Sequence, residues 1–220
     1  MEILVTIMKY AAAIALGSLL GCADAAWLAA RLAGKDVKKM GNGNVGASNV
    51  AMSMGVFPGV LVATWDIFKA VLAGMAAAYI LQAPVLACVL SAAMAVVGHV
   101  YPFWLGFDGG KGFAPYVGFV VFMDWRLAVI LAVIAVVAVS TKDRIAYATI
   151  TFGFGTPVAT LWRQGMGPRG FLFMGIALIL STILWDRHQE NIARLRDGTE
   201  PRVSEVLKGK YKGGKGVGNH

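Results

Sequence analysis

"FAPYVGFVVFM", residues 113–123, is eleven residues of almost unbroken apolar sequence, and whether it crosses a bilayer decides the fold. A membrane-spanning helix needs about 20 mostly apolar residues, within a range of roughly 17 to 25. Alone, 113–123 is too short and reads equally as a re-entrant piece. Its neighbours are less ambiguous. The first apolar run extends from Ile3 to about Leu32, interrupted by Lys9 and Asp24. Others cover Val56–Leu81, Pro84 to about Tyr101, Leu127–Val139, Ile145–Leu161 and Phe171–Trp185. With 113–123 included there are seven candidate spans, all expected as helices because an open strand leaves its backbone unsatisfied in lipid.

The distribution of charge answers the question that length leaves open. If 113–123 crosses, Arg31, Lys35, Lys38, Lys39, Lys111, Lys142, Arg144 and the basic C-terminal tail all share one side. Only Arg126, Arg163 and Arg169 remain opposite. If it does not cross, the tail changes sides and the positive-inside bias collapses. The sequence therefore predicts an all-α integral membrane protein of about seven transmembrane helices, with its polar loops and tail in the cytoplasm. A single helical domain is expected over 1–203, followed by a flexible basic tail over 204–220.

Composition agrees. Of 220 residues, 58% are hydrophobic and 15% charged, against about a quarter charged in soluble domains. The net charge of +8 raises nucleic acid as a partner, but the basic residues sit at the ends of apolar runs, where they orient a membrane protein. Membrane lipid, with no nucleic acid, is the partner this pattern predicts. Cys22 and Cys88 both lie inside apolar runs and read as small hydrophobes. The first run is too long for a signal-peptide core and leads directly into "RLAGKDVKKMG", so it reads as a retained anchor.

Three polar segments then share the cytoplasmic side. "GKDVKKMGNGNVGASN" (34–49) offers Gly41, Gly43 and Gly46 for tight turns and Asn42, Asn44 and Asn49 as amides that donate and accept. Consecutive backbone N–H groups in such turns make an anion-binding concavity, although Gly and Asn also form ordinary loops. "GHVYPFWLGFDGGKG" (98–112) places His99 at the end of one run and Lys111, among Gly109, Gly110 and Gly112, before the next. It is no P-loop, since Phe113 stands where that motif needs a hydroxyl. The letters GGKG recur in the tail at 213–216, where no structure is expected around them. "WDRHQENIARLRDGTEPR" (185–202) puts Arg187 and Asn191, and His188 and Asn191, on shared helical faces, extended by Arg194. A solvated helix end has the same look. Together the three segments define an anionic-ligand pocket beside lipid.

"GNGNVGASN", "GHVYPFWLGFDGGKGFA" and "RHQENIARLRDGTE" resemble the three signature motifs of the bacterial acyl-phosphate:glycerol-3-phosphate acyltransferases, and "WDIFKA" (Asp66, Lys69) resembles a further segment of that family. The resemblance covers essentially the whole chain, in order. It implies a multi-pass enzyme of the bacterial inner membrane with a cytoplasmic active site. Such an enzyme transfers a fatty acyl group from acyl phosphate to the 1-hydroxyl of glycerol 3-phosphate, giving lysophosphatidate and phosphate. Neither cofactor nor metal is implied, because the donor is already activated. Lys111, His188 and Asn191 would be catalytic. Lys38, Gly41, Asn42, Gly43, Asn44, Asn49, His99, Gly109, Gly110, Gly112 and Glu200 would bind substrate or phosphate.

The chain departs from the family pattern at Asn42 (usually Ser), Met52 (Arg), Asp108 (a basic residue), Pro115 (Thr) and Ala146 (Ser). Methionine cannot replace the bidentate clamp of an arginine on phosphate. Lys38 and Arg144 are the expected substitutes. Two other readings fit these departures: a paralogue acylating another polar acceptor, and a non-catalytic organic-phosphate carrier using intramembrane Asp66 and Lys69. Those two are also spaced for a structural pair on one helix.

Overall fold

The computed structural model describes residues 1–209, and all regular structure among them is helical. The helices are α1 (Glu2–Gly21), α2 (Ala25–Leu32), α3 (Ala47–Met54), α4 (Val56–Tyr79), α5 (Val85–Val100), α6 (Phe113–Met123), α7 (Trp125–Lys142), α8 (Ala146–Gln164), α9 (Pro168–Arg187), α10 (Gln189–Arg196) and α11 (Val203–Leu207). Single 3₁₀ turns occupy Val37–Lys39 and Phe103–Leu105. Each of the expected apolar runs is helical, the first as two helices. Among the described residues, five stretches are long and apolar enough to cross a membrane: Glu2–Leu32, Val56–Tyr79, Val85–Leu105, Trp125–Lys142 and Pro168–Arg187.

The remaining two runs differ for separate reasons. Helix α8 has 19 residues but carries Thr149, Thr151, Thr156, Thr160 and a mid-helix Pro157. Helix α6 has 11 residues, about 16 Å at 1.5 Å per residue, half of a hydrocarbon core. Its Tyr116, Phe119 and Val120 are completely buried, packed with Val96 of α5, Leu127 and Leu131 of α7 and Leu180 of α9. A short helix enclosed by protein need not match the bilayer by its own length.

The first run is not one helix, contrary to the simplest reading of its hydropathy. It breaks at residues 22–24, where the Asp24 carboxylate caps α2 by accepting from the Trp27 N–H at 2.9 Å. The carbonyls freed at the break are recovered from afar. Trp104 Nε1 donates to the Cys22 carbonyl at 2.9 Å and Trp65 Nε1 to that of Ala23 at 3.0 Å. Helix α1 then lies against α5 with almost no side chains between them. A Cβ on Gly98 would strike the Ser18 backbone, and one on Gly17 the Ser91 backbone. Outward faces of α1, α4, α7 and α9 keep Ile7, Phe68, Val133 and Ile179 exposed, as a lipid-facing surface requires.

The last polar stretch is also interrupted. Helix α9 ends at Arg187, His188 is a non-helical hinge, and α10 restarts at Gln189. The segment expected as tail from 204 begins with α11, which is tied to the end of α7. There the Asp143 carboxylate accepts from the Ser204 N–H at 2.8 Å and its hydroxyl at 2.5 Å. The rest of the expected tail, with its GGKG copy, lies outside the described residues.

Candidate active site

A cavity of about 310 Å³ opens where the three polar segments meet. Asn42 and Asn44 line it from the first segment, Lys111 and Gly112 from the second, and His188, Asn191, Arg194 and Glu200 from the third. His99 also faces it, as do Asp66 of α4 and Thr149 of α8.

The centre is a chain of charge-assisted hydrogen bonds. Lys111 Nζ donates to Asn191 Oδ1 at 2.6 Å, Asn191 Nδ2 donates to Glu200 Oε1 at 2.6 Å, and Arg194 Nε donates to Glu200 Oε2 at 2.8 Å. Glu200 reaches back because Gly198, two residues past the end of α10, reverses the chain with a φ of 71°, and the Glu200 N–H bonds to the Arg194 carbonyl. Buried Glu200 thus fixes the Asn191 amide so that its oxygen meets the lysine. Burial, aided by Arg194, lowers the Lys111 pKa, while Glu190 and Glu200 oppose it. A lysine so placed gives up water readily for an anionic ligand.

Two histidines present opposite chemistry. Lys69 Nζ, which can only donate, lies 2.8 Å from His99 Nδ1, so a neutral His99 carries its proton on Nε2. That N–H points toward Gly110 and the cavity. At His188, Nδ1 donates to the Leu184 carbonyl at 2.8 Å, which leaves Nε2 as an acceptor, 3.4 Å from the Thr149 hydroxyl. Burial holds the His188 pKa down to about 4; the Leu184 carbonyl opposes this, and the charges of Lys111, Arg187 and Arg194 add to it. One imidazole therefore offers a donor and the other a lone pair.

Other site residues expected from the sequence shape the cavity rather than line it. Asn49 is fully buried and turns its side chain onto the first turn: Oδ1 accepts from the Asn42 N–H at 3.1 Å, and Nδ2 donates to the Val37 and Asn44 carbonyls at 3.1 and 2.9 Å. Gly41 (φ 51°) and Gly43 (φ 74°) make that turn, and a Cβ at 41 would run into the Asn49 amide. Gly109 and Gly110 set the second turn, where their N–H groups bond to the Val100 and His99 carbonyls. A Cβ on Gly110 would come within 2.5 Å of the Val45 carbonyl oxygen and closer still to His99 Nε2. Only glycine lets the first and second segments approach this closely.

Several contacts carry no clear mark in the sequence. Asp108, standing where a basic residue was expected, bridges two cations, Lys38 at 2.9 Å and Arg187 at 3.0 Å. Hydrogen bonds from Lys38 and Arg187 lower its pKa. Lys38 is thereby committed to Asp108, and Arg144 bonds its neighbour's carbonyl instead of lining the cavity. Met52 and Ala146 do line it, and the Thr149 hydroxyl sits one helical turn beyond Ala146. Asp66 and Lys69 form the expected pair at 2.8 Å, but His99, 3.6 Å from Asp66, joins them.

A second cavity, about 370 Å³, runs between α8 and α9. Gly153, Phe154, Val158, Leu178 and Trp185 give it apolar walls, and its inner end shares Ala146, Thr149, His188 and Asn191 with the first. A polar chamber and an apolar groove thus meet at His188 and Asn191.

Residues 11–198 match the family model described as glycerol-3-phosphate acyltransferase. Among similar sequences is a glycerol-3-phosphate acyltransferase of Thermus thermophilus, 36% identical over 200 residues, covering 86% of this chain and 93% of that protein. Another, from Synechococcus sp. CC9902, is 33% identical over 194 residues, covering 87% and 94%. The fold is similar to a crystal structure of PlsY, an integral membrane glycerol 3-phosphate acyltransferase, in its glycerol 3-phosphate form. The TM-score is 0.79 at 27% identity, covering 90% of this chain and 98% of that one. Its lysophosphatidic acid form gives 0.76 at 29% identity.

Proposed function

We propose a donor, a mechanism and a topology from one premise: this chain belongs to the glycerol-3-phosphate acyltransferase family and is a membrane acyltransferase of phospholipid synthesis. The donor is an acyl phosphate and the acceptor oxygen is the 1-hydroxyl of glycerol 3-phosphate. The observation that carries the reading is the 2.6 Å bond between Lys111 and Asn191, residues 80 apart in sequence, inside a chamber that opens onto an apolar groove.

The acyl chain lies in the groove between α8 and α9, with its carbonyl beside His188 and Asn191. Lys111 and the adjacent turns of backbone hold the phosphoryl groups, and His99 Nε2–H donates from the far wall. His188 Nε2 accepts from the glycerol hydroxyl and aligns its oxygen with the carbonyl carbon, a positioning effect that lowers the barrier without covalent catalysis. The new ester C–O bond forms as the bond between the carbonyl carbon and the bridging phosphate oxygen breaks. The electron pair leaves with phosphate, and the hydroxyl proton follows it. His188, with a pKa of about 4, is a weaker base than a phosphate dianion, whose conjugate acid has a pKa of about 6. The departing phosphate therefore takes the proton and the histidine orients it.

Seven crossings, with α6 and α8 counted, put all three segments at the cytoplasmic face of the bacterial inner membrane. Purified protein given acyl phosphate and glycerol 3-phosphate releases phosphate and forms lysophosphatidate, whereas Lys111→Ala, normally folded, is inactive. Absence of turnover by the parent protein in any lipid or detergent refutes the reading. Cysteine labelling that places Asn42 and Asn191 on opposite membrane faces refutes the topology.

A further inference from the structure

The family match ends at residue 198, yet the cavity wall does not. Pro201, Arg202, Val203, Val206 and Leu207 all line it. The segment lies beyond the match but is anchored to a residue within it, Asp143. Both oxygens of Asp143 are taken by Ser204, and the Val203 N–H bonds to the Asp143 carbonyl at 3.1 Å. Those hydrogen bonds lower the Asp143 pKa, so the tether is charged at neutral pH.

The balance of charge then singles out one side chain. The acyl phosphate and the phosphate monoester of the acceptor bring about −1.5 to −2 charges each into the cavity. Of the cations lining it among the described residues, Arg194 is paired to Glu200 at 2.8 Å and to Glu190 at 3.7 Å, and Lys111 shares Glu190 at 3.6 Å. Among the described residues Arg202 has only Glu205, at 3.9 Å, a distance at which no hydrogen bond forms. Its guanidinium fork is therefore open. Met52, on the cavity wall, contributes no charge.

We propose that Arg202 is the bidentate clamp on the phosphate of the acceptor, presented by the segment 201–207 and positioned through the Ser204–Asp143 tether. The proposal rests on the acyltransferase reading for the identity of the acceptor but not for the existence of the anion site. The clamp comes from the C-terminal segment rather than from α3, so acceptor affinity depends on a part of the chain beyond the family match.

The test is isothermal titration of the full-length protein in detergent with glycerol 3-phosphate and, separately, inorganic phosphate, alongside steady-state kinetics. Arg202→Ala weakens binding of both anions tenfold to about a hundredfold, as expected for loss of a charge-assisted pair. It raises KM for glycerol 3-phosphate far more than it lowers kcat. Arg202→Lys restores part of the affinity, a point charge replacing a fork. Asp143→Gly suits the positive φ of 55° there and removes both carboxylate acceptors of Ser204, and it raises the same KM with Arg202 intact. Unchanged phosphate affinity in Arg202→Ala overturns the proposal, as does loss of glycerol 3-phosphate binding with phosphate binding retained. A parent protein that binds both anions through Arg202 but forms no lysophosphatidate overturns the catalytic reading and leaves the anion site standing.

Discussion

Gly110→Ala tests the site geometry with a single methyl group. The added Cβ would lie 2.5 Å from the Val45 carbonyl oxygen and 2.7 Å from His99 Cε1, where ordinary contact begins near 3.4 Å. Neither neighbour can step aside. Val45 belongs to the turn clamped by Asn49, and His99 is pinned by Lys69 at 2.8 Å. The loop itself must therefore move by about 1 Å, and Lys111 is the next residue. A shift of that size stretches the 2.6 Å contact with Asn191 past hydrogen-bonding range. Misplacement by about 1 Å costs on the order of 100-fold in rate, or about 3 kcal/mol of barrier. Overpacking costs a further 1–3 kcal/mol of stability, roughly, so the melting temperature falls while the fold survives. The assay is phosphate release from acyl phosphate in the presence of glycerol 3-phosphate, with thermal unfolding followed in parallel. Gly106→Ala is the control. It adds the same methyl group in open space, at a positive φ of 70° that makes it the more strained backbone of the two, and should still keep most of the activity. Gly110→Ala activity within about threefold of the parent would refute the close approach of the two segments.

Glu200→Gln keeps one acceptor oxygen but sets an NH2 donor against either Arg194 or Asn191, so the two can no longer be held at once; kcat falls roughly tenfold as the Asn191 amide is less firmly oriented, read from initial rates at saturating substrate. Gly153→Leu projects into the groove between α8 and α9, where its Cβ meets only Leu184 at 3.7 Å. It shifts preference toward shorter acyl phosphates, measured across a chain-length series, with acceptor KM unchanged. His188 has a folded pKa of about 4, below its unfolded value near 6.5, so the unfolded chain binds the extra proton between those limits. Stability therefore rises with pH from about 4 to 6.5 and is lost as pH falls back through that window, by about 3 kcal/mol in all, seen as a falling melting temperature that His188→Gln flattens.

The helices were legible in the sequence because long apolar runs in lipid have few alternatives, and the convergence of motifs because parity placed their loops together. What stayed hidden depends on partners far along the chain. Nothing local shows that Asn49 would turn inward to staple its own loop while Asn42 and Asn44 face the cavity. Helical spacing linked Arg187 to Asn191, but the hinge at His188 separates their tasks, one to Asp108 and the other to Lys111. Asp108 reads as a damaging charge reversal until Lys38 and Arg187 are seen on either side of it. The i, i+3 spacing did announce the Asp66–Lys69 pair; the assignment of a proton to His99 needed the third dimension. Arg202 was invisible because its importance comes from the weakness of its neighbour, and an absent partner leaves no pattern.

The break in the N-terminal run also has a temporal meaning. Its two exposed carbonyls, at Cys22 and Ala23, find their indole donors only in Trp104 and Trp65. A nascent chain emerges in order, so the insertion machinery meets this region before either donor exists, and the bend is completed only after residue 104 has been made. Completing this bend is thus among the later events of biogenesis, and a ribosome stalled before that tryptophan would hold an anchored chain whose Cys22 carbonyl still lacks its indole donor.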